Sequence, residues 1–195
     1  MAEDSLLFAG KISSMIINKT PYAEISEELE NAIESNQSLE WEVVGDHIVA
    51  IIQSGEHQFF THYNLLDFAM QAYEAGGESS ILKRFQCQFE LAKIYSDQAG
   101  LKRKFELYED LVEGAASRME ENSTEDPFYY WLTRPLNRLA QLTQEWEGEE
   151  AAEPLWHRLV NVTTEAKEEE GLNIIDHNAP WFTRAHPELF PHHTD

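Results

Sequence analysis

The eight histidines, the one cysteine and the 36 acidic residues of this 195-residue chain carry most of its chemical potential. His47, His57 and His62 lie close in sequence. His57 and His62 are five apart, whereas two ligands on one helical face need a spacing of three or four. They read as surface or interface histidines. His177, His186, His192 and His193 gather near the C-terminus beside Asp176 and Asp195. That set suits adventitious metal capture, and the expectation is a His-bearing tail with no metal centre. Cys87 lies between Phe85 and Phe89 with no base beside it, which reads as a buried structural thiol. A single cysteine also excludes an internal disulfide framework and a cysteine-based zinc site.

Glu145, Glu147, Glu149, Glu150 and Glu153 crowd one predicted turn. Carboxylates do acid–base work only in a shaped, partly dry site, which an exposed turn does not offer. Glu149 and Glu150 suit the start of a helix, where the dipole favours negative charge. Glu168, Glu169 and Glu170 fall at the expected end of that helix, so they should fray it. The chain has no phosphate-binding glycine loop, no His-Glu-x-x-His, no Gly-x-Ser-x-Gly and no dinucleotide fingerprint. The expectation is a non-enzymatic protein without a cofactor; an enzyme would need a site that the sequence does not display.

The balance of charge narrows the partners. Fourteen basic residues against 36 acidic ones give a formal charge of -22. Direct nucleic-acid binding needs cations facing phosphates, and an anionic membrane surface would repel this chain. Residues 1–80 hold two lysines and 14 acidic groups, residues 81–126 seven basic and ten acidic, and residues 127–195 five basic and 12 acidic. The first of these regions is the strongest attractor of cations. The acidic start Met1-Ala2-Glu3-Asp4 and the short apolar run Leu6–Ala9 do not read as a secretory signal. No stretch reaches the roughly 18 apolar residues of a membrane span. A cytoplasmic location is expected.

The elements that must position these groups are helices, and the predicted fold class is all-α. Thr20-Pro21 reads as an N-cap and first helical residue, and Ile25, Leu29, Ala32 and Ile33 form the stripe beyond it. Val44, Ile48, Ile51 and Ile52 face one way over Leu39–Gln53, with Ser54-Gly55 as a stop. Phe59, Tyr63, Leu66, Met70 and Tyr73 predict a seam on a helix from Glu56 to Ala75. Gly76-Gly77 ends it, and Ser79 or Ser80 can cap the next.

Two helical hairpins should come next. One covers Ile81–Ser96 and Leu101–Glu120 around a turn at 97–100. The other covers Phe128–Trp146 and Glu149–Glu169 around Glu147-Gly148, with Gly171 as a stop and Pro135 as a kink or true start. The organisation is an N-terminal helical region over 1–80 with about three helices, two hairpins over 81–172, and an extended tail over 173–195, all in one continuous domain. Ile174, Ile175, Trp181, Phe182, Leu189 and Phe190 make the tail apolar enough that part of it should pack back.

The two hairpins repeat at an offset of 48. Leu91-Ala92-Lys93-Ile94 aligns with Leu139-Ala140-Gln141-Leu142, Gly100 with Gly148, Leu107-Tyr108 with Leu155-Trp156, and Leu111 with Leu159. A small residue lets two helices approach, an aromatic fills the space between repeats, and a glycine permits the reversal. At Leu91-Ala92, Tyr95, Gly100 and Tyr108, and again at Leu139-Ala140, Gly148, Ala152 and Trp156, the chain resembles the tetratricopeptide repeat family over residues 81–169. It departs from that family at Lys104, Thr143, Gln88 and Leu136, and its period exceeds the usual 34. The resemblance implies antiparallel hairpins stacked as a short α-solenoid. The alternative is a generic α-helical bundle.

The resulting functional expectation is an adaptor, scaffold or chaperone-like module that binds a peptide or protein, preferably basic, through a groove or an acidic face. Candidate contact residues are Tyr63, Tyr73, Tyr95 and Trp131 as anchors, and Lys83, Arg84, Lys102 and Arg103 from the one basic concentration, which also includes Lys93 and Lys104. Tyr108 and Trp156 are further aromatics to watch. The competing reading is an acidic inhibitor or immunity-type protein that blocks the basic cleft of a nucleic-acid-acting enzyme. Carboxylates at phosphate-like spacing would favour it. Self-association is compatible with either.

Overall fold

The computed structural model describes residues 2–35, 38–54, 62–95 and 100–190. Among them every regular element is helical and none is a strand. The chain forms two compact units, Met1–Ser96 and Asp97–Asp195. The division falls in the turn expected for the first hairpin.

The N-terminal unit comprises α1 (Ala2–Ile17), α2 (Tyr22–Glu34), α3 (Trp41–Ser54), α4 (His62–Ala75), a 3-10 turn (Gly77–Ser80) and α5 (Ile81–Ile94). α3 packs on α1 and α4, and α4 also packs on α2 and α5. α1 is a helix that the sequence pattern did not announce: from the run Leu6–Ala9 onward, Phe8, Ile12 and Ile16 form a stripe at spacing four, all buried. α2 begins one residue later than expected, with Pro21 itself at the N-cap. It buries Ile25, Leu29 and Ala32. α3 buries Val44, Ile48 and Ile51 as expected, and adds Trp41.

The seam of α4 is rotated from the expected one. Leu65, Phe68, Ala69 and Ala72 are buried together with Leu66 and Tyr73, while Tyr63 and Met70 are only half-buried. The expected Gly55 stop, the helix start at Glu56 with Phe59, and the turn residues 97–99 lie outside the described residues. Ser80 makes no side-chain cap on α5. The reversal from α4 to α5 instead passes through Gly77 at φ 66°, a conformation that glycine adopts without steric cost.

The C-terminal unit comprises α6 (Leu101–Ala116), α7 (Tyr129–Trp146), α8 (Glu149–Glu165), α9 (Glu169–Asn178), α10 (Pro180–Ala185) and a 3-10 turn (Pro187–Leu189). α7 packs on α6 and on α8, and α8 packs on α9. Within their units α5 packs on α4 and α6 packs on α7; the turn of the expected 81–120 hairpin includes residues outside the described ones. The α7–α8 hairpin forms as expected and turns at Gly148, φ 101°. Pro135 lies inside α7 rather than at its start. The Asp126 carboxylate organises the α6–α7 connection by accepting from the backbone N–H of Glu120 and Phe128, at 3.1 and 2.8 Å.

The expectation of an extended tail is corrected. Residues 169–189 are largely helical, because Pro180 occupies the first turn of α10 and Pro187 opens the 3-10 turn. Proline is favourable there, since the first N–H of a helix has no partner anyway. Ile175, Phe182 and Phe190 are buried. Trp181 Nε1 donates to Gln144 Oε1 at 2.9 Å, and Trp156 Nε1 donates to the same oxygen at 3.2 Å. α8 stops at Glu165, short of the expected Glu169. Gly171 lies within α9 and marks close approach to α8: a Cβ there would fall 2.7 Å from Thr163 Cγ2. The acidic run at 168–170 therefore opens a helix instead of ending one, and a helix start is where the dipole favours negative charge.

Candidate functional site

The eight residues expected to bind a partner divide between the two units. Tyr63, Tyr73, Lys83, Arg84 and Tyr95 lie in the first, and Lys102, Arg103 and Trp131 in the second. Two pairs come together. Tyr63 meets Tyr95 edge to face, with ring centroids 5.5 Å apart. Tyr73 and Lys83 meet at Asp46. The Tyr73 hydroxyl donates to Asp46 Oδ1 at 2.8 Å, and Lys83 Nζ contacts Asp46 and Glu42 at 2.7 Å each.

Tyr73 is only 2% exposed, so its ring belongs to the core rather than to a surface. Burial, and then the bond to Asp46, push its phenol well above the ordinary value. The hydrogen bonds to Asp46 and Glu42 raise the Lys83 ammonium. Arg84 is half-buried, and its Nε makes no hydrogen bond. Trp131 is half-buried on α7.

Most of the basic concentration is paired locally. Lys93 pairs with Glu90 at 2.8 Å. Lys102 and Arg103 both pair with Glu106, at 3.8 and 3.3 Å. These ion pairs leave little net positive charge for an acidic peptide.

α2 has the opposite character. Its first turn carries Glu24, and Glu27, Glu30 and Glu34 continue at spacings of three, three and four; all four are exposed. At about 100° per residue they fall within an arc of roughly 120°, opposite buried Ile25, Leu29 and Ala32. The row is about 15 Å long. Glu28, beside it, is paired with Lys11 at 2.5 Å. Among the described residues no lysine or arginine pairs with Glu24, Glu27, Glu30 or Glu34.

Of the histidines, His47 Nδ1 lies 2.9 Å from the Val43 carbonyl of its own helix. His57, His192, His193 and Asp195 lie outside the described residues. His177 is exposed on α9. His186 has company that its place in the sequence did not suggest: it faces Glu153 and His157 of α8. His157 was missed, although its spacing of four from Glu153 was a legible signal for two groups on one helical face.

Cavities are modest. One of about 280 Å³, between α7, α8 and α9, is lined by Tyr130, Arg134, Asn137, Glu168 and Ile174. Another of about 360 Å³ covers the start of α3, with Glu40, Glu42, Asp46 and Ser80 in its wall. The first falls just below, and the second at the small end of, the range of about 300–1,000 Å³ usual for small-molecule sites. Cys87 is buried, and burial pushes its thiol up to about 12, so it is a poor nucleophile. No helix among the described residues is long and apolar enough to cross a membrane. Comparison with family models, with curated proteins and with solved structures finds no match.

Proposed function

We propose that this chain is a non-enzymatic interaction module that docks a basic protein partner through the carboxylate row on α2. The observation that carries the reading is that row: four exposed glutamates on one helical face, with no basic residue of the described chain paired to them. A helix holds them in register, so lysine or arginine side chains of a partner meet preplaced charges. The formal charge of -22 adds long-range attraction, which speeds encounter more than it deepens affinity. On this reading α6, α7 and α8, paired in chain order, act as a short tetratricopeptide-like stack that serves as scaffold.

The same row favours a second reading, an acidic inhibitor that occupies the basic cleft of a nucleic-acid-acting enzyme. Its steps of about 4.5 to 6 Å along the axis are coarser than the one charge per about 3.4 Å of a single nucleic-acid strand. The mimicry is partial, which ranks this reading below the first.

The test is capture of partners from the native cell by the full chain and by a variant with Glu24, Glu27, Glu30 and Glu34 all changed to Gln. The expected result is retention of a basic protein, weakened by salt and by about tenfold or more in the variant, since each exposed pair is worth about 0.2–1 kcal/mol. Equal retention by both proteins would sink the proposal. If nucleic acid competes the captured protein away, the inhibitor reading takes precedence.

A further inference from the structure

We propose that Glu153, His157 and His186 form a binding site for one divalent transition-metal ion, zinc or a metal of similar preference, that fastens the C-terminal helical segment to α8. Each of the three offers one ligand atom, and these atoms all lie within 4.8 Å of one another. His186 Nε2 is 3.1 Å from Glu153 Oε1, and His157 Nε2 is 3.7 Å from the same oxygen. Zinc holds nitrogen and carboxylate oxygen at about 2.0–2.2 Å. Two ligands at a tetrahedral angle around such an ion are about 3.3 Å apart, and the two measured separations bracket that value. The two imidazole nitrogens lie within 4.8 Å of each other, so a side-chain adjustment of up to about 1.5 Å closes the set around an ion.

The architecture holds the donors where they are needed. Glu153 and His157 are one turn apart on α8 and share its face. His186 ends α10, where its backbone N–H bonds the Phe182 carbonyl at 3.0 Å. The buried Phe182 ring lies against both imidazoles, at centroid distances of 4.9 Å from His157 and 4.7 Å from His186. Behind the second imidazole, His186 Nδ1 is 3.6 Å from Glu188 Oε1. At that distance the carboxylate is beyond hydrogen-bond reach and acts only as a nearby negative charge on the imidazole.

Two imidazoles and one carboxylate suit zinc, nickel, cobalt or copper better than calcium or magnesium, which demand oxygen. The side chains of Glu153, His157 and His186 are 41, 39 and 21% exposed, so an ion can enter and water can complete its shell. The role assigned is positional. His186 lies 29 residues beyond His157 in sequence, and an ion joining them crosslinks α8 to the segment that carries α10.

The experiment uses the full chain, stripped with a chelator and titrated with zinc against a chromogenic competitor, with cobalt absorption as a geometric readout. The expected result is one zinc per chain, an intense tetrahedral cobalt band, and a rise in thermal midpoint with zinc. His157→Ala and His186→Ala each should lower affinity by at least 10- to 100-fold, and Glu188→Gln by much less. All three positions are partly exposed, so circular dichroism can confirm that the variants fold. Three results would overturn the site: no zinc binding by the parent chain, unchanged affinity in the double variant His157→Ala/His186→Ala, or loss of binding only when His192 and His193 are changed to Ala.

Discussion

Asp46 in the N-terminal unit and Glu153 in the C-terminal unit are both carboxylates where helices meet, and they keep different company. Asp46 accepts from the Tyr73 hydroxyl and from Lys83, so a fixed cation answers its charge and the node ties α3, α4 and α5 together. Glu153 faces two imidazoles, and among the described residues no lysine or arginine pairs with it. The first arrangement is complete within the chain. The second leaves room for a cation from solution. Charge count alone does not separate these cases, because both groups lie in strongly acidic surroundings; the identity of the nearest cation does.

The largest test of this contrast concerns the bulk of each unit. Trp156 is fully buried in the C-terminal unit, and Phe68 is fully buried in the N-terminal unit, stacked on Tyr22 at 4.8 Å. Trp156→Ala and Phe68→Ala should each cost about 3–5 kcal/mol. Amide hydrogen exchange should show each loss mainly in the helices of the mutated unit. A uniform loss of protection along the whole chain in both variants would dissolve the division at Ser96 and Asp97.

A smaller effect probes the Asp46 node itself. Gly45 lies under the Tyr73 ring, and a Cβ there would fall 2.4 Å from Tyr73 Cε1. The ring cannot retreat easily, since its hydroxyl is held by Asp46 and its body is buried. Gly45→Ala should therefore destabilise by about 1–3 kcal/mol through overpacking, even though alanine is the better helix former by about 1 kcal/mol. A stabilised variant in urea denaturation would mean that the ring has slack and that the node is looser than its geometry implies.

The periodic parts of this fold were legible because a stripe of apolar residues at helical spacing needs no partner to be recognised. Val44, Ile48 and Ile51 on α3 and the α7–α8 hairpin around Gly148 are examples. What sequence concealed has particular causes. α1 and α8 end through Lys19 and Lys167 at φ 64° and 58°, positions where glycine is the usual signal. In each, the next residue's N–H reaches back to a carbonyl of the last turn, Thr20 to Met15 and Glu168 to Thr163, both at 2.9 Å. With no glycine to mark it, the end of α8 merges in sequence with the start of α9. Pro180 and Pro187 suggested an extended tail because a proline that opens a helix looks the same in sequence as one that forbids it. The acidic row on α2 was legible, because the stripe of Ile25, Leu29 and Ala32 read from sequence already fixes the opposite face. The Glu153–His157–His186 cluster needed tertiary packing to close a gap of 29 residues, and one of its three members, His157, carried no signal besides its spacing from Glu153.

The finest comparison between the units is their response to alkali. Burial raises the Tyr22, Tyr73 and Cys87 side chains in the N-terminal unit and the Tyr129 side chain in the C-terminal unit. The phenols are further raised by their bonds to Asp67, Asp46 and Glu168. All four groups are neutral when protonated, so the unfolded chain loses these protons first as pH rises. Stability that is complete below the ordinary values is then lost, for Cys87 between its ordinary 9.0 and about 12. At about pH 10 the thiol's share is about 1 kcal/mol. The N-terminal unit should weaken on going from neutral pH to about pH 10, and Cys87→Ala should recover about that share of the loss. Parallel denaturation curves at the two pH values measure it. A variant that loses as much stability as the parent would show that the thiol ionises in the folded chain as readily as in the unfolded one, and that its burial is incomplete.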